Sequence, residues 1–382
     1  MLEVPRFRLS GDELALVGEA RRVAQESLEP IARAGEEGRV NRPLVRALGS
    51  HGFLSRLEPE RPVVGGGPSA IELCLVREGL AGGCTEAETA FALQGLGSYP
   101  ILSAGSPEII DRFAGPILRG EAVAAFALTE PGTGSDAGAL QLEAVRAGDA
   151  FVLSGEKTWI SNAPDADVIT VFARTKRDAG PKGITAFVVR GEATGLSGEP
   201  IELLGPHPVG RLRFDGVRVP ADHVLGQVDR GLRVALETLD RFRPSVGAAC
   251  VGMAQAALDA ATSYAFEREA FGKPIREFQA VSHRLAEMAT RVEAARLLVY
   301  RAAAELDLGD RATKASAMAK LFATETAQRA IDAAIQVHGA IALERGHVLE
   351  RLYREVRATR IYEGTSEIQR EIIARELFER RG

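Results

Sequence analysis

Gly180-Pro181-Lys182-Gly183-Ile184-Thr185-Ala186-Phe187-Val188-Val189 places glycine and proline immediately before a run of β-branched and aromatic residues. This reads as a turn feeding a strand. The pattern repeats on either side. Upstream lie Phe151 and Leu153, then Val168-Ile169-Thr170-Val171-Phe172; downstream lie Leu212, Phe214, Val217 and Val219. Gly155, Asn162-Ala163-Pro164-Asp165 and Asp215-Gly216 punctuate these runs as turns. No helix of ordinary length fits between them. Residues 123–226 are therefore expected to form an antiparallel barrel or sandwich, not a βαβ domain.

Outside that segment the period is helical. Ser10 and Glu13 make a capping box for a helix carrying Leu14, Val17, Val23, Leu28 and Ile31. Pro43 starts a second helix that Gly52 stops. Ile71, Cys74 and Leu80 belong to a third, closed by Gly82-Gly83. After residue 227 the elements lengthen. Phe278, Val281, Leu285, Met288, Val292, Ala295 and Val299 step by three and four, as do Ala319, Ala323, Ala327, Ala330, Ala334 and Val337. With the helix around Leu232 to Phe242 and its continuation from Ser245, they predict a bundle of about four helices. The expected order is a helical N-terminal domain (1–122), a β middle domain (123–226) and a C-terminal four-helix bundle (227–382).

A chain of 382 residues exceeds one core, so several domains are expected. Net charge is −5 with both signs mixed, and no basic stripe favours nucleic acid. No apolar run is long enough to span a bilayer. Met1-Leu2-Glu3-Val4-Pro5-Arg6 lacks the regions of a signal peptide. Cys74, Cys84 and Cys250 are odd in number and scattered, which reads as reduced packing residues in a cytoplasmic protein. The six histidines form no metal-binding spacing, so no metal is expected.

Chemistry concentrates elsewhere. In Ile361-Tyr362-Glu363-Gly364-Thr365-Ser366-Glu367-Ile368-Gln369-Arg370, a carboxylate stands against a glycine just before residues suited to cap a last helix. Such a carboxylate can reach into a cleft as a base; read alone, it equally serves the positive end of the helix dipole. Ala125-Phe126-Ala127-Leu128-Thr129-Glu130-Pro131-Gly132-Thr133-Gly134-Ser135-Asp136 runs a strand into a turn whose glycines admit a ligand and whose hydroxyls can bond it. Its spacing and the strand that follows rule out a Rossmann fingerprint, and alone it is equally a polar β-turn. Lys157-Thr158-Trp159-Ile160-Ser161-Asn162 holds the only tryptophan, either a ring that covers another ring or a core residue. Asp240 and Arg243, three apart on a helix, read alone as a surface ion pair. Arg268, Phe271, Gly272 and Gln279 read alone as an interhelix loop with Gly272 as the terminating glycine.

Taken together, LTEPGTGSD, KTWISN, REAFGKPIREFQA and IYEGTSEIQR resemble the acyl-CoA dehydrogenase family of flavoproteins, in order and across essentially the whole chain. The resemblance implies FAD held between the β domain and the bundle, with a neighbouring subunit contributing. Leu128, Thr129, Gly134 and Ser135 match positions at the isoalloxazine, and Trp159 and Ser161 the pair beside its N5 edge. Arg268, Phe271 and Gln279 match cross-subunit contacts to the diphosphate and adenosine. Gln336 and Gly339 match a facing turn, and Thr365 and Glu367 further cofactor contacts. Asp240, Arg243, Ser135 and Gly364 match substrate contacts. Glu363 matches the base that removes the α-proton of an acyl-CoA while flavin N5 takes the β-hydride, with a flavin ribityl hydroxyl and the Glu363 N–H bonding the enolate oxygen. Family members that carry the base beside the position of Arg243 have no counterpart here, where Phe242 stands. The resemblance further implies a homotetramer built as a dimer of dimers, passing electrons to an electron-transferring flavoprotein. A same-fold oxidase or an acyl carrier protein-linked dehydrogenase is the alternative enzyme, and a non-catalytic binding protein the alternative class. The chain departs from the family pattern at Leu204-Gly205-Pro206-His207-Pro208-Val209-Gly210-Arg211, which lacks the usual Ser/Thr residues, and at His338-Gly339-Ala340-Ile341-Ala342.

Overall fold

The computed structural model describes residues 9–58 and 68–379. The amino-terminal hexapeptide read above lies outside them. In chain order the helices are α1 (Gly11–Val23), α2 (Glu29–Arg33), α3 (Arg42–Ser50), α4 (Ala70–Ala81), α5 (Thr85–Ala104), α6 (Pro107–Leu118), α7 (Gly231–Glu267), α8 (Gln279–Asp307), α9 (Thr313–His338), α10 (Val348–Thr359) and α11 (Ser366–Glu379). The strands are β1 (Ala124–Ala127), β2 (Glu143–Ala147), β3 (Ala150–Ser161), β4 (Val168–Arg174), β5 (Ile184–Arg190), β6 (Leu196–Pro200), β7 (Val209–Pro220), β8 (Val224–Leu225), β9 (Glu269–Ala270) and β10 (Lys273–Pro274). By contact they divide into two units. One holds the described residues up to Glu29, Ser69–Glu88 and those from Phe242 onward; the other holds those from Pro30 to Pro68 and Thr89–Arg241.

In the first unit the helices begin as their sequences dictate. Ser10 accepts from the Glu13 N–H at 3.2 Å while the Glu13 carboxylate accepts from the Ser10 N–H at 2.6 Å, the reciprocal capping box. The start of α4 is capped twice, by Ser69 and by Asp307 at the end of α8, which accepts from the Ala70 and Ile71 N–H groups at 2.7 and 3.0 Å. Helix α1 lies against α4 closely enough that a Cβ on Gly79 would stand 2.6 Å from Ala20 Cβ, so only glycine admits this approach. The alanine stripe of α9 is buried at 319, 323, 327, 330 and 334 as its period requires. The two helical stretches read around residues 232 and 245 are one 37-residue helix, α7, with Pro244 inside it; its residues up to Arg241 belong to the second unit.

In the second unit eight strands form one sheet ordered β6-β7-β3-β2-β4-β5-β8, with β1 also on β4. Side chains of β4 and β5 alternate between two apolar layers. Ile169, Val171, Phe187 and Val189 face a core with Phe151, Leu153, Phe214 and Val217. Val168, Phe172, Ile184 and Val188 face another with Ile101, Phe113 and Ile117. Burial on both faces is why these strands are continuous hydrophobic runs and not alternating ones. The antiparallel expectation holds for every pair except those of β1 and β2 with β4, which are parallel. Both strands lie along one edge of β4, β1 beside Val168–Val171 and β2 at Arg174. Residues 128–142 thus leave and rejoin a single strand line.

Two of the expected turns are bulges inside long strands. Gly155 lies within β3 and Gly216 within β7, where the pairing shifts register between Leu153 and Gly155. A glycine with positive φ marks either a turn or a bulge, and only the partner strand decides. Gly155 has φ +136°, and a Cβ there would stand 2.9 Å from Leu142 Cδ1. Gly155→Val is therefore expected to destabilise the fold by about 1–3 kcal/mol, read as a lower urea unfolding midpoint, whereas Gly148→Ala, with open space around it, should cost less.

Candidate active site

Helix α10 stops at Thr359, and the chain turns before Thr365, whose hydroxyl accepts from the Ile368 N–H at 3.3 Å and starts α11. Within that turn Glu363 has φ +51° and Gly364 φ +90°. Side chains from two helices hold the turn by its carbonyls. Lys320 Nζ of α9 donates to Tyr362 O at 3.0 Å and Gly364 O at 2.7 Å. Gln369 Nε2 of α11 donates to Glu363 O at 3.3 Å and Gly364 O at 3.0 Å. The Glu363 side chain is half-buried, and its Oε2 is buried with no hydrogen-bond partner. Desolvation pushes the carboxyl above the usual carboxylate range; the charges of Arg77, Lys320 and Arg243 pull it back, and Glu88 adds to the rise. Arg77 is itself buried, pairing with Glu88 at 2.5 Å and donating to Ser245 Oγ at 2.8 Å. Burial lowers the Lys320 ammonium to about 8.

In the other unit the two motif segments meet. Thr158 N–H donates to Thr129 O at 3.0 Å. The buried Lys157 donates to Leu128 O at 2.9 Å and to Glu130 Oε1 at 2.8 Å. The Glu130 carboxylate also accepts from the N–H groups of Gln141 and Leu142 at 2.6 and 2.9 Å, which closes the 128–142 excursion at its base. Burial lowers Lys157 to about 8 against the pull of Glu130. Along β3 the pairing with β7 slips between Lys157 and Ile160. At this bulge Trp159 takes φ +58° and turns its ring outward, 56% exposed. The core reading of Trp159 is thereby overturned. Leu128 is nearly buried, Thr129 and Ser161 half-buried, Gly134 and Ser135 exposed, and Thr133 Oγ1 is buried without a partner.

Phe271 and Gly272 form the two-residue tip of the β9–β10 hairpin, both with positive φ. Gly272 is thus a hairpin glycine, not a helix terminator, because the chain reverses after Arg268 before α8 begins. Phe271 is 95% exposed, and Arg268 and Gln279 are exposed near it in sequence. Gln336 is exposed on the last turn of α9, and Gly339, with φ +71°, ends that helix. His338 is buried and stacked on Tyr264 at 4.3 Å. His207 is half-buried in the loop before β7. Glu367 is exposed in the first turn of α11, its carboxyl lowered by its own N–H and the Thr365 hydroxyl. Asp240 and Arg243 both lie on α7; Arg243 is buried, not on the surface.

Among the described residues the bulky non-glycine residues with positive φ are Trp159, Phe271 and Glu363, one in each of three motif segments. Such conformations are genuine outliers for large side chains and gather at functional sites. Sequence reading missed Lys320, Gln369, Arg77, Glu88 and the bracing by Glu130. One signal was present: Ser316, Lys320 and Thr324 put polar side chains on a buried, alanine-rich face of α9.

The N-terminal, middle and C-terminal domain profiles of acyl-CoA dehydrogenase match residues 10–121, 125–217 and 229–378. The chain belongs to the acyl-CoA dehydrogenase family. It is similar to a 3-(aryl)acrylate reductase of Clostridium sporogenes, 38% identical over 368 residues, or 94% of this chain and 96% of the relative. It is also similar to the caffeyl-CoA reductase-Etf complex subunit CarC of Acetobacterium woodii, 41% identical over 73% of this chain and 74% of the relative. Among solved structures, butyryl-CoA dehydrogenase from Megasphaera elsdenii superposes with a TM-score of 0.90 at 31% identity, over 98% of this chain and 100% of that one. The FAD complex of PigA does so with a TM-score of 0.90 at 30% identity and the same coverage.

A carboxyl whose folded pKa is raised binds its proton more tightly in the native state. Its ionisation therefore removes stability as pH rises from the unfolded value, 4.5, through the folded one. Glu363→Gln is expected to be more stable than the parent at pH 7, with the gain shrinking toward pH 4.5; paired thermal melts across that range check the sign.

Proposed function

We propose that this enzyme dehydrogenates an acyl-CoA thioester between its α and β carbons to the trans-2-enoyl thioester, with Glu363 removing the α-proton. The observation that carries the reading is the Glu363 carboxylate, desolvated, without a hydrogen-bond partner at Oε2, and fixed on a strained turn.

The chemistry follows from acidity. A carboxylate is far too weak a base for an ordinary C–H bond. The thioester carbonyl makes the α-proton removable when hydrogen bonds meet the developing enolate oxygen; this reading assigns the Glu363 N–H as one donor. A carboxylate stripped of water is a stronger base than one in solution. Arg77, Lys320 and Arg243 keep it ionisable despite burial. Positioning by Lys320 and Gln369 keeps it from wandering off the proton's line.

The cofactor is FAD, as across the family. The residues present fit such a ring and its tail. Trp159 offers an exposed indole face, Thr129, Ser135 and Ser161 offer hydroxyls, and Thr133 Oγ1 lacks a partner. Leu128, Thr129, Gly134, Ser135, Trp159 and Ser161 would hold the ring. Arg268, Phe271, Gln279, Gln336, Gly339, Thr365 and Glu367 would hold the remainder. When bound, FAD supplies the acceptor for the hydride that leaves the β-carbon. Ser135, Asp240, Arg243 and Gly364 would meet the substrate.

An electron-transferring flavoprotein is the proposed redox partner, supported by the Etf complex named for the Acetobacterium relative. A homotetramer in the cytoplasm is proposed, supported by an almost fully exposed Phe271 at a hairpin tip and by three free, buried cysteines. No helix among the described residues is long and apolar enough to cross a membrane. Two relatives are named as reductases, which favours a second reading: saturation of an enoyl thioester, in which the hydride to the β-carbon would come from reduced FAD and Glu363 would return the α-proton.

Anaerobic flavin bleaching with a panel of acyl-CoA esters tests the direction and the substrate. Glu363→Gln is expected to retain FAD and thioester binding and to lose about 10²–10⁴ in the bleaching rate. Glu363→Asp should keep part of it, limited by reach. Near-parental bleaching by Glu363→Gln would place the base elsewhere.

A further inference from the structure

We propose that Lys320, assisted by Gln369, is the positioning residue of the Glu363 base: its ammonium clamps the 362–364 turn in the conformation that presents the carboxylate and supplies part of the positive charge that keeps it ionised. This rests on the reading of Glu363 as the base.

The turn is strained and needs restraint. Glu363 occupies the left-handed region, which a Glu leaves readily unless its surroundings forbid it. Its three consecutive carbonyls, from Tyr362, Glu363 and Gly364, accept from Lys320 and Gln369. Lys320 is fully buried, and among the described residues its ammonium bonds two backbone oxygens and no carboxylate. An unpaired buried ammonium is costly, so its placement against these carbonyls is informative. Gln369 adds a second observation. Its Nε2 is committed to the turn while its Oε1 is buried without a partner. An amide that leaves its acceptor unsatisfied is there for its donors.

The charged and titratable groups around Lys320 come from three directions. Glu363 lies on the turn, Arg243 and Cys250 on α7, and Glu325 on α9 itself. Around Glu363 the additional groups are Arg77 on α4 and Glu88 at the start of α5. Lys320 both touches the turn and carries charge. In its protonated form it donates firmly to both carbonyls. Its titration near 8 should therefore appear as an alkaline limb of the reaction, and its charge should hold the acid limb, set by Glu363, at lower pH.

The test uses the FAD-loaded enzyme with the best thioester from the panel. Lys320→Met is expected to keep the thioester Kd within about threefold while slowing anaerobic flavin reduction by about 10²-fold, the size of effect that a small misplacement of a catalytic group produces. Its acid limb should move to higher pH and its alkaline limb near 8 should vanish, shifts that a merely structural lysine would not cause. Gln369→Met, which removes only the neutral half of the clamp, should slow reduction by about tenfold with both limbs unmoved. If Lys320→Met fails to fold, Gln369→Met alone decides, since wild-type rates there would overturn the clamp. Lys320→Met at the wild-type rate with unshifted limbs overturns the proposal while leaving an inactive Glu363→Gln, and so the base assignment, intact. A Glu363→Gln enzyme that still bleaches fast removes the base itself, a result recognisable apart from either clamp variant.

Discussion

A buried ammonium must be surrounded by oxygen, and this constraint organises both motif regions. Lys157 meets it with Leu128 O and the Glu130 carboxylate, Lys320 with Tyr362 O and Gly364 O. In each case the lysine rises from regular structure, a strand or a helix, and its oxygens come from an irregular segment beside it. Loops are ordinarily the mobile parts of a protein. Here each is fastened at its backbone, so that side chains such as Glu363 remain uncommitted. Backbone oxygens accept from both lysines, with the Glu130 carboxylate added at Lys157, and Glu363 is left without a bond at Oε2.

Strain tells the same story from another side. Trp159, Phe271 and Glu363 sit where large side chains rarely do. A bulge turns the indole out of β3, a two-residue hairpin tip lifts the phenyl ring into solvent, and a clamped turn aims the carboxylate. Each conformation is unfavourable locally and is sustained by regular hydrogen bonding next to it. At 56% and 95% exposure, Trp159 and Phe271 leave a ring face open to a flat or apolar partner.

Much of this was legible in the sequence. Ser10 with Glu13, Pro43 and Gly82 announced helix ends because capping is local chemistry. The runs at 168–172 and 184–189 announced strands because both faces are buried. Gly155 and Gly216 misled, since glycine signals a positive φ and not whether the chain reverses there. Gly272 misled for a related reason: a helix terminator and a hairpin tip ask for the same backbone angle. The parallel pairing of β1 and β2 with β4 depends on a partner distant in sequence and left no local trace. Lys320 was hidden by habit, as a lone lysine on a helix is normally a solvent group. Glu363 was recognisable through its motif, but its clamp lies 43 positions upstream on another helix.

The excursion at 128–142 also bears on how such a molecule can change over generations. Because β1 and β2 occupy successive stretches of one edge of β4, residues added or removed between them alter neither strand's register. Glu130, gripping the N–H groups of Gln141 and Leu142, seals the loop's neck regardless of what lies beyond it. Arg174 holds the carbonyls of Gly138 and Leu140, so the part of the loop open to rewriting for a differently shaped ligand is its exposed stretch, residues 131–136.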